Sequence, residues 1–395
     1  MRPRAATPRL LFVFVIAALL GAPGAGARPH RARQPAPGRS APAATPFGFV
    51  GMNLDGPLLL PGVNLTPVFD RMEASGVQSV RTTFSWAAAQ PVAGGPFDFR
   101  QSDRIVSLTA ARGMTVLPIV MYCPPWAAVT PRAPGALDVP NDPAPYAAYA
   151  TALVHRYGPY GSFWATHRAL PRLPIERWQI WNEPSFDYYW PQPFAPTYVP
   201  LLAAAHASIK AADPFAQVVL PGFPDLGWQF LATIYEQGGG VGHDFEVVAA
   251  HPYTRQPANV IRFLSLMRAV MRRNGDGAKP MMITETGWNS SVGHHPSDNF
   301  CCQTTEAGQA ADVSALLPLL ARHRRAQRLL AFYFYTWASA EQDGTFSFNF
   351  AGLFDDASGR LAAKPVYSAF MAAALGLERC RRAAPLAGHC APSAG

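Results

Sequence analysis

Two glutamates occupy positions suited to a pair of catalytic carboxyl groups. Glu183 lies in the motif Trp-Asn-Glu-Pro (181–184), and Glu285 lies in the motif Thr-Glu-Thr-Gly-Trp (284–288). Each follows an apolar run typical of a buried strand, so each carboxylate is predicted to emerge where a strand ends and a loop begins. The two glutamates are 102 residues apart (285 minus 183), a separation that holds about three strand-helix-strand units. A closed barrel would bring the two carboxyl groups face to face.

The rest of the chain alternates between strand-like and helical segments, as such a barrel requires. Eight strands are predicted at 47–53, 79–86, 115–122, 175–181, 217–223, 245–253, 281–287 and 329–337. Helical patterns are predicted at 67–75, 103–112, 146–157, 198–212, 228–237, 260–273, 305–323 and 365–375. This order predicts an α/β fold, a (β/α)8 barrel of the TIM type, with a single catalytic domain at 47–376.

A doubly wound open sheet is the alternative fold. It normally carries a glycine-rich phosphate loop after its first strand. The segment at 51–56, Gly-Met-Asn-Leu-Asp-Gly, is not such a loop, so the barrel is favoured.

The N-terminus has the layout of an export signal. Three arginines precede the apolar run at 10–20, which ends in small residues, so 1–27 is predicted to be a cleaved signal peptide. The alternative, an uncleaved membrane anchor, would need about 20 apolar residues. The Pro/Ala/Arg-rich segment 28–46 is predicted to be a disordered leader, and 377–395 an irregular tail. We therefore expect a secreted protein with no stable membrane insertion after cleavage.

The net charge of +8 is concentrated in the leader. Residues 1–46 contain seven arginines and no acidic residue, which accounts for all but one of the net positive charges. The folded part is therefore not predicted to bind nucleic acid. The leader is interpreted as a solvated spacer, with contact to an anionic cell surface as the alternative.

Five cysteines permit disulfides in an exported chain without imposing a framework. Cys380 and Cys390 could close a short loop in the tail. Cys301 and Cys302 are adjacent and are expected not to pair with each other, because that geometry is strained; either could instead reach Cys123. No cysteine or histidine spacing is typical of a zinc site, so we expect neither a metal nor a cofactor.

Many other polar and aromatic side chains fall at the predicted strand ends. They are Asn53, Asp55, Arg81, Trp86, Tyr122, Trp126, Asn182, Phe223, His251, Tyr253, Trp288 and Trp337. In a barrel, catalytic groups cluster at these ends. Flat aromatic faces stack on sugar rings, and the polar groups can hydrogen-bond hydroxyls, so a carbohydrate is the simplest ligand. The alternative is that the aromatic side chains fill the barrel and its loops.

The motifs resemble those of the clan A glycoside hydrolases. Besides the two glutamate motifs, Arg81, the triplet His-Pro-Tyr (251–253) and Trp337 match positions of the clan's shared site. The segments 81–86, 97–99, 352–354 and 364–367 are similar to family 39 and its neighbours in family 5. The resemblance covers most of 47–376.

This resemblance implies a role for each matching residue. Glu183 is the expected acid/base and Glu285 the expected nucleophile of a retaining enzyme, whose two carboxyl groups lie about 5 to 5.5 Å apart. Arg81 and Tyr253 are expected to keep Glu285 ionised, and His251 to orient Glu183 or a water. Asn182 is expected to bind the sugar 2-hydroxyl. The expected substrate contacts further out are Trp86, Trp126, Trp288 and Trp337.

The sequence differs from the family pattern after strand three, and it does not determine which sugar the protein acts on. Some relatives have a histidine where this chain has Tyr-Cys-Pro-Pro-Trp (122–126), and too few residues follow Trp337 for the β-sandwich domain of many family 39 members. We expect a monomer that acts within a β-linked polysaccharide or oligosaccharide. One alternative is an exo-acting β-xylosidase or β-glucosidase, in which the insertion at 290–305 would block one end of the cleft. The others are a transglycosylase and a non-catalytic carbohydrate-binding protein.

Overall fold

The computed structural model describes residues 45–60, 62–129, 135–357 and 359–378. The predicted signal peptide, nearly all of the predicted leader and most of the predicted tail, including Cys380 and Cys390, lie outside the described residues. Among the described residues, no helix has both the length and the apolar character needed to cross a membrane.

Eight parallel strands form the barrel. They are β1 Val50–Asn53, β2 Ser79–Ser85, β3 Thr115–Met121, β4 Arg177–Ile180, β5 Gln217–Val219, β6 Val248–Ala250, β7 Met281–Ile283 and β8 Leu329–Phe334. Their order is β5-β4-β3-β2-β1-β8-β7-β6. A parallel bridge between Val219 and Val247, with the Leu220 amide donating to the Val247 carbonyl at 3.0 Å, joins the two outer strands. The predicted (β/α)8 barrel is therefore confirmed.

Helices follow every barrel strand. The helices are α1 Thr66–Ala74, α2 Trp86–Ala89, α3 Arg100–Ala110, α4 Pro143–Tyr157, α5 Ser162–Thr166, α6 Ala195–Ala212, α7 Gly227–Glu236, α8 Pro257–Arg273, α9 Glu306–His323 and α10 Pro365–Glu378. The short helices α2 and α5 are additions to the predicted set. After β8, strands β9 Ala338–Ser339, β10 Phe354–Ala357 and β11 Arg360–Ala363 form a small separate sheet.

The boundaries differ from the predicted ones in a consistent way. Helices α4 and α8 begin three residues before their predicted starts, because Pro143 and Pro257 occupy the first helical position, where a missing N–H has no cost. The Asp142 side chain also caps α4. At the other end, α10 continues to Glu378, two residues beyond the predicted end of the domain. Most barrel strands end before their predicted limits, because the chain leaves the sheet to form the loops that carry the site.

The core has two layers, one inside the barrel and one between the barrel and its helices. Tyr333 fills part of the barrel interior, and its hydroxyl lies 2.9 Å from the Ser79 hydroxyl. Its ring lies against Gly51, where an added Cβ would come within 2.3 Å of a ring carbon. Glycine at position 51 is therefore required by the tyrosine packed against it.

Candidate active site

Arg81 is the centre of a hydrogen-bond network at the carboxyl ends of the barrel strands. Its side chain, 1% exposed, projects from β2. Its Nε donates to Gln179 Oε1, one terminal nitrogen donates to Asn53 Oδ1 and Glu285 Oε1, and the other donates to Asn182 Oδ1, all at 2.7 Å. A planar guanidinium suits such a set, because its donors have a fixed fork geometry. One cation thus orients side chains from β1 and β4 and from the end of β7.

Glu285 lies two residues beyond the end of β7, with both carboxylate oxygens bonded. Oε1 accepts from Arg81, and Oε2 accepts from the Tyr253 hydroxyl at 2.9 Å. Burial alone would raise the pKa of Glu285, but the nearby His251, the positive charge of Arg81 and the donated hydrogen bonds outweigh it and hold the pKa below its ordinary value. Glu285 is therefore ionised over most of the pH range.

Glu183 lies three residues beyond the end of β4 in a different environment. Its backbone has a φ of 41°, in the left-handed region that non-glycine residues seldom occupy outside functional sites. Its Oε1 lies 2.5 Å from Nδ1 of His251. Burial raises the pKa of Glu183 and the negative charge of Glu285 adds to this, so that its pKa lies above the ordinary value although His251 opposes the shift.

The hydrogen bonds of His251 indicate which ring nitrogen carries the proton. Nε2 of His251 lies 2.9 Å from the Thr284 hydroxyl, and that hydroxyl accepts from Gln179 Nε2 at 3.3 Å. The Thr284 hydroxyl hydrogen is consequently available to Nε2, which leaves Nδ1 as the donor to Glu183 Oε1. The proton of a neutral Glu183 then resides on Oε2, the oxygen not bonded to His251.

Gly222 makes room for this histidine. It has a φ of +77°, and an added Cβ would lie 2.1 Å from Nε2 of His251. Glycine at 222 satisfies both the backbone conformation and the close approach of the imidazole.

The two glutamates face each other across a short gap. One carboxylate oxygen from each and a ring nitrogen of His251 all lie within 4.8 Å of one another. By distance alone these three atoms could ligate a metal ion. Both oxygens of Glu285 already accept hydrogen bonds, however, and the guanidinium 2.7 Å from Glu285 opposes a second cation there. The donor set fits proton transfer and nucleophilic attack better than metal binding.

A cavity of about 1160 Å³ opens over the glutamates. Asn182 lines it, and because Asn182 Oδ1 accepts from Arg81, its NH₂ group is left to donate to a ligand. Asp55, at the end of β1, also lines the cavity and accepts from the Thr336 hydroxyl at 2.5 Å. The aromatic lining residues besides Tyr253 are Tyr122, Phe186, Tyr188, Tyr189, Phe300, Tyr335, Phe346 and Phe348. A polar floor under aromatic walls suits a sugar, which has hydroxyl edges and apolar faces.

The structure places the four predicted tryptophans outside this lining. Trp86, Trp288 and Trp337 are at most 1% exposed. Trp86 packs between Trp126 and the tyrosines of α4, and Trp337 packs on Phe354. The rings of Trp86, Trp288 and Trp337 are packed in the interior around the barrel and Trp126 is partly exposed, so substrate contact by these four residues stays a prediction.

Several residues of the site were not assigned from the sequence. Gln179 bonds Arg81, and Thr284 bonds His251. In the sequence, these two residues stand out only as polar side chains within or directly after an apolar strand. Phe300 and Phe348 lie in long loops whose sequences carry no periodic pattern. Their positions depend on how these loops fold over the barrel.

The cysteine expectation was wrong. Among the described residues, Cys301 and Cys302 form a disulfide with each other, and Cys123 is buried and free. Cys123 lies in the loop after β3, whereas the two adjacent cysteines lie in the loop after β7, beside Tyr253. The barrel keeps these two loops on separate sides of the cavity mouth.

Sequence comparison finds no matching family model and no matching curated protein. Comparison of folds gives many similar structures. A family 39 glycoside hydrolase from Bacteroides cellulosilyticus WH2 matches with a TM-score of 0.62 and 18% identity, over 83% of this chain and 63% of that one. A family 39 β-xylosidase from Caulobacter crescentus matches with a TM-score of 0.60 and 16% identity, over 84% and 72%.

The chain has the fold of the clan A glycoside hydrolases. A glucosidase from Croceicoccus marinus, with a TM-score of 0.61 and 16% identity over 85% of this chain and 69% of that one, has it as well. The chain spans somewhat less than two thirds of the length of the Bacteroides protein. At these identities the likeness establishes the fold, and the chemistry has to be argued from the site.

Proposed function

We propose that this protein is a secreted, retaining glycoside hydrolase that cleaves β-linked sugars through a covalent glycosyl-enzyme intermediate. The observation that carries the proposal is the facing pair Glu183 and Glu285, whose environments move their pKa values in opposite directions. A retaining glycosidase needs one protonated acid and one ionised nucleophile at the start of its cycle. The fold shared with family 39 structures supports the same reaction.

In the first step, Glu285 attacks the anomeric carbon while Glu183 gives its proton to the departing glycosidic oxygen. The bond from carbon to the leaving oxygen breaks as the bond from carbon to Glu285 forms. In the second step, Glu183, now ionised, removes a proton from water, and the resulting attack releases Glu285. One oxygen of Glu183 lies within 4.8 Å of one oxygen of Glu285, which supports the shorter separation of retaining enzymes over the roughly 6.5 to 9.5 Å of inverting ones.

The cavity favours an endo-acting enzyme. Its volume exceeds the range of about 300 to 1,000 Å³ that is usual for small-molecule sites. Four of its lining aromatic residues remain exposed at the mouth, namely Tyr122, Phe186, Tyr188 and Phe346. Exposed aromatic faces can stack on successive sugar units of a chain, so we propose a polysaccharide or long oligosaccharide as the substrate.

Export and oligomeric state belong to the same proposal. A disulfide persists in oxidising compartments, which supports secretion. We propose that the protein acts as a monomer, by analogy with a structure described as a monomeric β-xylosidase from Caulobacter crescentus CB15.

The decisive experiment follows the stereochemistry of the product. Purified protein is screened against aryl β-glycosides and β-linked polysaccharides, and the anomeric proton of the first product is followed by NMR on the best substrate. We expect the β-anomer to form first and to mutarotate later. Early appearance of the α-anomer would establish inversion.

The catalytic assignment is tested with a matched pair of variants. Glu285→Gln should lose about 10⁴-fold or more in kcat, because the amide cannot form the covalent intermediate. Glu176→Gln changes an exposed glutamate that precedes β4 at the opposite end of the barrel, and it should retain wild-type activity. Near-full activity in Glu285→Gln would refute the mechanism.

A further inference from the structure

The segment 290–305, here called the cysteine loop, forms one wall of the cavity. It leaves the barrel after Trp288 and lies against the loop that follows β9. The Ser297 amide donates to the Thr345 carbonyl at 2.9 Å, and the Ser347 amide and hydroxyl donate to the Asp298 carboxylate at 2.7 and 2.6 Å. These bonds give the wall a defined position although it contains little regular secondary structure.

Buried Lys364 connects the two loops through hydrogen bonds. Its ammonium group donates to the Ser290 hydroxyl at 2.6 Å, to Glu341 at 2.6 Å and to the Phe350 carbonyl at 3.0 Å. Three acceptors satisfy the three donors of an ammonium group. The start of the cysteine loop and the loop after β9 are therefore held by one cation.

The two halves of the disulfide have different surroundings. Cys302 is 1% exposed and belongs to the core, and its carbonyl accepts from the Asn289 amide at 3.1 Å. Cys301 is exposed and lines the cavity, with its sulfur 3.8 Å from the Tyr253 carbonyl oxygen. Cys302 therefore anchors the loop, and Cys301 belongs to the surface of the cavity.

Aromatic rings extend this surface on the side of the nucleophile. The Phe300 ring centroid lies 5.4 Å from that of Tyr253 and 4.6 Å from that of Phe348. The Tyr253 hydroxyl in turn donates a hydrogen bond to Glu285. Cys301 thus lies beside a cluster of aromatic rings that includes Tyr253, the residue bonded to the nucleophile.

We infer that the Cys301–Cys302 disulfide is a substrate-binding element whose Cys301 half contacts the apolar face of the sugar bound beside Glu285. The inference rests on the proposed glycoside hydrolase function. Sulfur is polarizable and makes favourable dispersion contacts, and a bonded pair presents a fixed surface with no hydrogen to donate. Two free thiols would be mobile and would add weak donors to the wall. Reduction should therefore weaken substrate binding and leave the chemical step intact.

The test compares the oxidised and reduced wild-type protein. A phosphine reductant opens the disulfide when phosphorus attacks one sulfur and water supplies the oxygen, giving two thiols and a phosphine oxide; mass spectrometry follows the gain of two hydrogens. We expect KM for the best β-glycoside to rise roughly three- to tenfold after reduction, with kcat within about twofold, because uniform binding is lost. The acid limb of the pH profile should stay in place, since Tyr253 still holds Glu285.

Two variants serve as controls. The double variant Cys301→Ala/Cys302→Ala should show the raised KM before any treatment and no further response to the reductant. Cys123→Ala removes the buried free thiol, leaves the disulfide intact, and should respond as the wild type does.

Three results would overturn the inference. The first is an unchanged KM in protein whose complete reduction has been verified. The second is a shifted acid limb or a fall in kcat alone, which would make the disulfide a support for Tyr253. The third is two free thiols at 301 and 302 in untreated protein. Oxidised protein that cleaves no glycoside at all would instead refute the proposed function together with the inference.

Discussion

The ends of β4 and β7 each present a glutamate to the same cavity, yet they give it opposite electrostatic surroundings. At the end of β7, Glu285 accepts hydrogen bonds from a guanidinium and a phenol, and its pKa is lowered. At the end of β4, Glu183 has one close side-chain partner, the imidazole of His251, and its pKa is raised. Both carboxyl groups are buried, so burial does not explain the difference.

The two pKa values differ because the two glutamates have different hydrogen-bond partners. Arg81 reaches Glu285 directly, whereas on the β4 side it bonds Asn182, the neighbour of Glu183. One cation therefore stabilises the charge of one glutamate and only orients the residue beside the other. Two identical side chains acquire different protonation states because Arg81 and Tyr253 donate hydrogen bonds to Glu285, whereas Glu183 is bonded to His251.

The largest effect is expected when position 183 can no longer carry a proton. Glu183→Gln should lose about 10²- to 10⁴-fold in kcat/KM on substrates with poor leaving groups, because general acid catalysis contributes about that much. Substrates with an activated aryl leaving group need no proton and should lose far less. A Brønsted plot of rate against leaving-group pKa measures the contrast.

Glu176→Gln is the control for this experiment, since it makes the same change at the other end of the same strand. Equal losses on good and poor leaving groups in Glu183→Gln would contradict the assignment of Glu183 as the acid.

The second prediction concerns the shared cation. Arg81→Gln leaves Glu285 buried without its ion partner, which should destabilise the fold by about 3 to 5 kcal/mol and lower kcat/KM by about 10²-fold. Because the pKa of Glu285 then rises, activity should be lost at a higher pH on the acid side. Circular dichroism melting and a pH series of kcat/KM measure the two effects.

Arg81→Lys separates charge from geometry. It keeps the positive charge but cannot serve four acceptors in fork geometry, so its acid limb should stay closer to that of wild type while its stability falls. An acid limb that moves equally in both variants would show that the network, and not the charge, keeps Glu285 ionised.

A smaller effect is expected from the phenol. Tyr253→Phe removes one hydrogen bond to the charged form of Glu285, so kcat/KM should fall by about tenfold, as expected for a hydrogen bond to an ionised group. Activity requires ionised Glu285 and is lost as the pH falls through its pKa; a raised pKa therefore moves the acid limb to higher pH. The limb set by Glu183 should not move in the same variant.

Tyr235→Phe provides the matched control, because that hydroxyl bonds Asp276 outside the cavity. It should change the melting temperature more than the pH profile. A shift of both limbs in Tyr253→Phe would mean that the two glutamates are not held independently.

The frame of this site follows from sequence patterns. The eight strands, their helices and the placement of Glu183 and Glu285 just past two of the strands are predictable, because apolar runs alternate with amphipathic segments throughout 47–376. Arg81, His251 and Tyr253 are predictable for the same reason, since strand ends meet at one face of a barrel.

The walls of the cavity do not follow from such patterns. A tryptophan beside a strand end can face the ligand or the surrounding helices, and Trp86 and Trp288 face the packed interior. Phe300 and Cys301 meet Tyr253 only because two long loops fold against each other through contacts between distant residues. Local sequence carries no signal for those contacts, so substrate-facing loops were the least predictable part of the molecule.

The smallest effect is expected from Thr284, which bonds His251, the partner of Glu183. Thr284→Val removes the hydroxyl that bonds Nε2 of His251 and nearly preserves the side-chain shape. Loss of a neutral hydrogen bond costs about 0.5 to 1.5 kcal/mol, so kcat should fall by roughly two- to tenfold. The basic limb, where Glu183 loses its proton, should move because His251 can then adopt its other tautomer, whereas the acid limb should not.

The matched control for this variant is Thr109→Val, in which a buried hydroxyl bonds only backbone carbonyls of α3. It should leave both limbs in place. If Thr284→Val moved the acid limb instead, His251 would be coupled to Glu285 more strongly than to Glu183. Their separations from Nδ1, 2.5 Å to Glu183 and 3.7 Å to Glu285, favour the β4 partner. The variant therefore tests whether this difference of 1.2 Å (3.7 minus 2.5) lets Glu183 and Glu285 titrate separately.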